Sequence, residues 1–283
     1  MQRYKIVHRT CYQYAGDVKL GPHRLLLRPR EDHELRIESF ELKISPEATL
    51  LWHRDVEGNS VATAHFTSPA NQLVVESEVV IQQFNESPLD FLVADHAIQY
   101  PFDYAPADKI LLAPYLAPTG GETTEKVSEW IAGFWKANEP IQTYGLLQRL
   151  AAHIFKTLSY RVREEPGVQA PQLTLACGTG SCRDFAMLFM EAARSLGLAS
   201  RFVSGYLHAP LIGDQIGSTH AWAEVYLPGA GWKGFDPTIG KIAGTDHITV
   251  AVARLPESVP PISGSFFGAP DSTLQVGVWV RMC

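Results

Sequence analysis

The spacing of apolar residues changes character part-way along this chain. That change limits the fold to a strand-built half followed by a mixed one. Up to about residue 97 the periodicity is two: Arg36 to Ile44 alternates polar and apolar residues, as does Val75-Glu76-Ser77-Glu78-Val79, the pattern of half-buried strands. Tyr4 to Tyr12, His23 to Pro29, Ser60 to Phe66 and Leu73 to Phe84 read as further strands, with turn signals at Gly16-Asp17, Gly21-Pro22 and Glu57-Gly58-Asn59. Residues 1–97 are therefore expected to form an antiparallel β-sandwich or barrel-like domain.

Residues 98–121 carry Pro101, Pro106, Pro114, Pro118 and Gly120-Gly121 and read as a connector, packed down through Ile110-Leu111-Leu112. Residues 122–283 begin with the helical period. Val127, Trp130, Ile131, Phe134 and Trp135 form one stripe, and Leu146, Leu147, Leu150, Ala151, Ile154, Phe155 and Leu158 a second; both are core-facing. A third helix is predicted over Arg183 to Leu196, with Phe185, Phe189, Ala192 and Leu196 on one side and Gly197 closing it. Extended runs follow at Ala199 to Leu207, Thr219 to Leu227, Trp232 to Thr238 and Leu274 to Val280, with a Gly-containing loop from Pro210 to Ser218. Helices first and antiparallel strands afterwards mark an α+β unit.

A length of 283 residues suits about two domains, and 46% hydrophobic with 19% charged residues suits a folded protein. The net charge of −6 offers no basic field to nucleic acid or an anionic membrane. Cys11, Cys177, Cys182 and Cys283 are too sparse for a disulfide framework. The N-terminus lacks the apolar core of a secretion signal, and no apolar run reaches membrane-spanning length. The expectation is a cytoplasmic protein without nucleic-acid or membrane partners.

The chemistry is expected at Gly178-Thr179-Gly180-Ser181-Cys182-Arg183-Asp184-Phe185-Ala186. A Gly-rich turn delivers Cys182 to the first turn of a helix, where unpaired N–H groups and the helix dipole favour an anion and hence the thiolate. A buried core cysteine is the plain alternative. A thiol nucleophile needs a base, and the base needs an orienting group. His220 and Asp236 lie on neighbouring strands of a predicted hairpin. They share a face only if the intervening loop has an odd number of residues or a bulge, which Gly229-Ala230-Gly231 can supply. The rival chemistry is zinc held by Cys177, Cys182, His208 and His220, but Cys-x4-Cys lacks the short knuckle spacing. No metal and no cofactor are expected.

Together with Ser204-Gly205-Tyr206, Thr219-His220-Ala221-Trp222-Ala223-Glu224-Val225 and Gly231 to Thr238, the cysteine segment resembles the transglutaminase-like cysteine-enzyme superfamily. Tyr4, His8-Arg9-Thr10, Tyr12, Tyr14, Leu27-Arg28-Pro29-Arg30, Asp55 and Gly58-Asn59 resemble the bacterial N-terminal domain that accompanies it, and His247-Ile248 with Val250 to Arg254 fit its tail. The resemblance implies a papain-like catalytic core with Cys182 as nucleophile, His220 as base and Asp236 as orienter. Leu255-Pro256 stands where the family commonly has Asp-Tyr, so altered loop contacts are expected near the site. The Cys182 N–H is a natural oxyanion donor. Gln172, Tyr160 and Trp222 are candidates for the second, and Arg183 and Asp184 either touch substrate or serve as a cap and ion pair. The leading expectation is a cysteine peptidase or amidase acting on a peptide or protein. The alternatives are an acyltransferase that uses an amine in place of water, and a non-catalytic binding module.

Overall fold

The long N-terminal strand sets the architecture of the first half. A computed structural model describes residues 1–84, 86–137, 139–208, 219–268 and 271–283. The loop expected from Pro210 to Ser218 lies outside the described residues. Strand β1 (Gln2–Leu20) is followed by β2 (His23–Leu25), β3 (Leu35–Ser45), β4 (Ala48–Arg54), β5 (Ser60–Phe66) and β6 (Ala70–Gln83). Strands β1, β6 and β3 pair in that order, all antiparallel, and β2, β5 and β4 form a second sheet. The two sheets enclose Tyr14, Val18, Leu25, Leu27, Ala62, Ala64, Leu73 and Val75. The first half is therefore an antiparallel β-sandwich, as its period-two pattern predicts. One expected turn is absent. At Gly16-Asp17 strand β1 continues, with a register shift between Gln13 and Val18 opposite β6; the same small residues that suit a turn also suit a bulge.

The segment expected to be a connector is helical. After α1 (Asp95–Ile98) and β7 (Gln99–Tyr100), α2 spans Pro106–Leu116. Pro106 opens α2, where a missing N–H costs nothing. Next come α3 (Gly121–Ala132), β8 (Ile141–Gln142), α4 (Thr143–Thr157), β9 (Ser159–Tyr160), α5 (Pro171–Cys177), β10 (Thr179–Gly180) and α6 (Cys182–Ser195). Helix α6 is almost wholly buried, with Phe185, Ala186, Leu188, Phe189, Met190, Ala192 and Ala193 at 0–1% exposure. Gly197, at φ 75°, follows its end.

Helix α6 packs on a five-stranded antiparallel sheet in the order β14-β13-β12-β11-β15, formed by β11 (Ser200–Leu207), β12 (His220–Leu227), β13 (Gly231–Asp236), β14 (Lys241–Ile242) and β15 (His247–Ala253). Helices and antiparallel strands thus make an α+β unit whose core joins α3, α4 and α6 to one sheet face. Beyond β15 the chain goes back. Strands β16 (Ile262–Ser263), β17 (Phe266–Phe267) and β18 (Ser272–Met282) pair with β2, β1 and β1 respectively. The final strand expected over Leu274 to Val280 exists, but it belongs to the N-terminal sheet and not to the sheet of residues 122–283. Its apolar inner face fixes this: Val278 and Val280 pack with Tyr4, Ile6, Val79 and Ile81.

Buried polar contacts help to fasten the halves. Asn59, fully buried, donates to the Val252 carbonyl (2.8 Å) and accepts from the Val252 N–H (2.9 Å), so a side-chain amide occupies the outer edge of β15. Buried His8 on β1 meets the Tyr206 hydroxyl on β11 at 3.0 Å. Gly205 permits the close layering here, since a Cβ would stand 2.3 Å from the Ile248 carbonyl oxygen and 2.7 Å from the Trp222 ring.

Candidate active site

Cys182 is the first residue of α6, and its placement is built from local hydrogen bonds. The Asp184 carboxylate accepts from the Ser181 N–H (2.8 Å) and hydroxyl (2.7 Å), closing a capping box. Its other oxygen accepts from Arg163 Nη1 and the Gln169 N–H, each at 2.7 Å. Burial pushes the Asp184 carboxyl up, but these four donors outweigh it and hold it below the usual carboxylate range. The preceding turn is pinned by parallel pairing of β10 with β9, through Ser159 N–H to Gly178 O (2.9 Å) and Arg161 N–H to Gly180 O (2.8 Å). Gly178, at φ 67°, ends α5 in the left-handed conformation that the reversal requires.

The hairpin meets the odd-loop condition. Leu227 pairs with Gly231, so the loop is Pro228-Gly229-Ala230, and Asp236 falls opposite Trp222 on the face that also carries His220. His220 Nε2 lies 2.7 Å from Asp236 Oδ2. A second imidazole reaches the same oxygen: His247 Nε2, from β15, at 3.0 Å. The His247 tautomer is fixed because its Nδ1 accepts the Gly244 N–H (3.1 Å), so Nε2 carries the hydrogen donated to Asp236. The second Asp236 oxygen accepts the Thr238 N–H at 2.8 Å. Asp236 is fully buried. Burial pushes its carboxyl up, yet the two imidazoles outweigh that and hold it well below the usual range. Burial also pushes His220 down, but hydrogen bonding to Asp236 and to Cys182, with their negative charge, raises it to about 10. Asp236 thus makes protonated His220 tolerable in a buried site.

Cys182 and His220 open into a cleft of about 530 Å³. Ser181, Tyr160, Val162, Val168 and Arg183 line one side; Phe202, Ser204, Val259, Pro260, Pro261 and Val276 line others. Cys182 is partly exposed and its sulfur is free of any disulfide.

Two profiles match the sequence: "Bacterial transglutaminase-like N-terminal region" over residues 4–82 and "Transglutaminase-like superfamily" over residues 136–237. An uncharacterized protein of Mycobacterium tuberculosis is 30% identical over 291 residues, covering 98% of this chain and 91% of the relative. The chain belongs to the transglutaminase-like superfamily. A Mycobacterium leprae protein, also uncharacterized, is 26% identical over 98% of both chains. A solved structure from Cytophaga hutchinsonii, named a "Putative Cysteine Protease", superposes with a TM-score of 0.74 over 99% of this chain and 90% of its own. At 17% identity it shows a shared fold.

Within this transglutaminase-like fold, the outlying candidates separate. Tyr160 and Arg183 line the cleft. The Arg183 guanidinium donates to the Arg163 and Glu165 carbonyls, which holds the 163–165 segment against the start of α6. Gln172 does not line the cleft; its amide oxygen accepts the Thr123 hydroxyl at 2.7 Å. Trp222 shares the sheet face of His220 and Asp236 but is buried against His247 and does not line the cleft, and Asp184 is consumed by the cap. The rival zinc quartet of Cys177, Cys182, His208 and His220 is not among the clusters with metal-ligand spacing in the described residues. Among the described residues the cluster with metal-ligand spacing is His220, Asp236 and His247. Those atoms already form N–H···O hydrogen bonds, while His208 pairs with Asp246 and Cys177 lies exposed on α5.

In the sequence His247 stands only within a family-like tail, and no ligand spacing ties it to Asp236. The wall formed by Pro256, Val259, Pro260 and Pro261 begins at Leu255-Pro256, where altered loop contacts were expected.

Proposed function

We propose that this protein is a thiol hydrolase that cleaves a peptide or amide bond through an acyl-enzyme. The observation that carries the reading is the His220–Asp236 hydrogen bond of 2.7 Å, set beside Cys182 in an accessible cleft. Asp236 occupies Nε2 of the imidazole and leaves Nδ1 for the thiol. His220 holds the proton of Cys182, and the thiolate sulfur attacks the substrate carbonyl carbon. The tetrahedral oxygen is met by the Cys182 N–H, a free donor at the first position of α6. When the C–N bond breaks, His220 returns the proton to the leaving amine. Water then gives a proton to His220 and attacks the thioester; the C–S bond breaks, the acid departs and the thiolate–imidazolium pair is restored.

Partial exposure of Cys182 leaves room for water to reach the acyl group. The test compares iodoacetamide alkylation of Cys182 with that of Cys11 at neutral pH. Cys182 is expected to react at least about tenfold faster, as activated thiols do. A glutamine peptide supplied with and without a primary amine then separates released acid and ammonia from the amine adduct. Equal reactivity of the two cysteines would overturn the enzyme reading, and predominant adduct would replace hydrolysis by acyl transfer.

A further inference from the structure

Strand β18 is an edge strand, and among the described residues it pairs only with β1. Its first part, Ser272-Thr273-Leu274-Gln275-Val276, is exposed throughout, with Leu274 at 55% and Val276 at 41%. In register Leu274 stands opposite Tyr12, Val276 opposite Thr10, Val278 opposite His8 and Val280 opposite Ile6, so all four face inward. Val278 and Val280 are covered by the other half; Leu274 and Val276 extend past that cover. Val276 also lines the cleft that holds Cys182 and His220.

Exposed edges are usually protected by charge or by bulges. The opposite edge of the same sheet, β3, has both: Arg36, Glu38, Glu41 and Lys43 along its length and a register shift between Ile37 and Ser39. The stretch Ser272–Val276 has neither charge nor proline nor bulge. The protein thus guards one edge and leaves bare the one that runs into the catalytic cleft.

We infer that the free edge of β18 is the substrate track: an extended peptide adds to it as a strand, placing apolar side chains at alternate positions beside Leu274 and Val276 and delivering its backbone to Cys182. The chemistry is strand addition, in which main-chain hydrogen bonds supply affinity and every second side chain supplies selectivity. Continuity decides the occupant, since the same valine ends the bare edge and walls the cleft. The inference rests on the hydrolase reading and deepens it, giving the N-terminal sheet a share in choosing the substrate.

The test uses a fluorescein-labelled heptapeptide with valine at alternate positions, its binding to Cys182→Ala protein followed by anisotropy. N-methylation of the amides in one alternating phase is expected to weaken binding at least about tenfold, whereas the other phase changes it less than about twofold. Leu274→Asp and Val276→Asp, both on exposed positions, are each expected to weaken it about tenfold while circular dichroism is unchanged. No binding up to millimolar peptide, equal effects of the two phases, or indifference to both aspartates would overturn the inference. So would light scattering that shows a dimer dissolved by Val276→Asp, because a second copy would then own the edge. Binding is read without the thiol, so an unreactive Cys182 beside phase-dependent binding would sink the hydrolase and leave the track. Hydrolysis of the peptide without phase dependence would do the reverse.

Discussion

Replacing Asp236 by asparagine removes one charge and almost no volume, and the hydrogen-bond geometry dictates the outcome. The carboxylate receives three donors: the His220 and His247 Nε2–H groups on one oxygen and the Thr238 N–H on the other. An asparagine that turns its oxygen to the imidazoles points its NH2 at the Thr238 N–H. Turned the other way, it faces both imidazole N–H groups, and His247 cannot change tautomer without setting its Nδ1–H against the Gly244 N–H. Either way at least one buried donor is left without an acceptor, at about 1–3 kcal/mol. For a chain of this size that lowers the melting temperature by roughly 2–12 °C. The kinetic effect is larger. Without the anion, only Cys182 still offsets burial and the imidazolium is disfavoured, so His220 should titrate clearly below about 10. In a Ser-His-Asp site the same change costs about 10⁴ in rate, and a loss of roughly 10³–10⁴ is expected here. NMR titration of the His220 ring and alkylation of Cys182 from pH 6 to 10 measure both. Unchanged titration with alkylation within about threefold of the parent would refute the account of Asp236 as the anion that sustains protonated His220.

His247→Gln should keep most activity, since a glutamine can donate to Asp236 and accept the Gly244 N–H, whereas His247→Leu should lose at least about tenfold and sharpen the fall of rate with pH; rate–pH profiles of the two variants separate positioning from packing. Chemical denaturation against pH should show two limbs. His220 is raised in the folded state, so its contribution is complete below about 6.5 and is lost as pH climbs toward about 10. Asp236 is depressed, so its contribution is complete above its unfolded value of 3.8 and lost as pH falls below that. Maximal stability from this pair is therefore expected between those unfolded values, and Asp236→Asn should flatten both limbs. Asn59→Ala should cost about 2–4 kcal/mol, because it strips four side-chain hydrogen bonds, to Val252, Arg30 and Asp55, and leaves Val252 polar groups buried; urea unfolding of the whole chain reads it directly.

The parts visible in the sequence are those whose signals are local. Phe185, Phe189 and Ala192 announce α6 because burial on one helical face demands their spacing, and Gly197 closes it for a conformational reason. The shared face of His220 and Asp236 follows from strand parity once the turn residues are known. What stayed hidden depends on long-range pairing or on residues with two uses. Nothing in Leu274 to Val280 says which sheet it joins, since any apolar edge would accept that pattern. Proline at 106 reads as a breaker but is a favoured first helical residue. Gly16-Asp17 suits a turn and a bulge equally well. His247 shows no spacing to Asp236, because they meet across strands β13, β12, β11 and β15.

The pairing of β18 with β1 has a consequence for how the molecule comes into being. A ribosome that has just made Cys182 and its helix has not yet made Val276, so the cleft then has a single bank. Strand β1 pairs with β6 early, but its other edge waits for β18, which makes that closing contact one of the most distant in the chain and sets its assembly late. On the proposed reading, a peptide-cutting thiol meets its guide rail only when translation has run past residue 276.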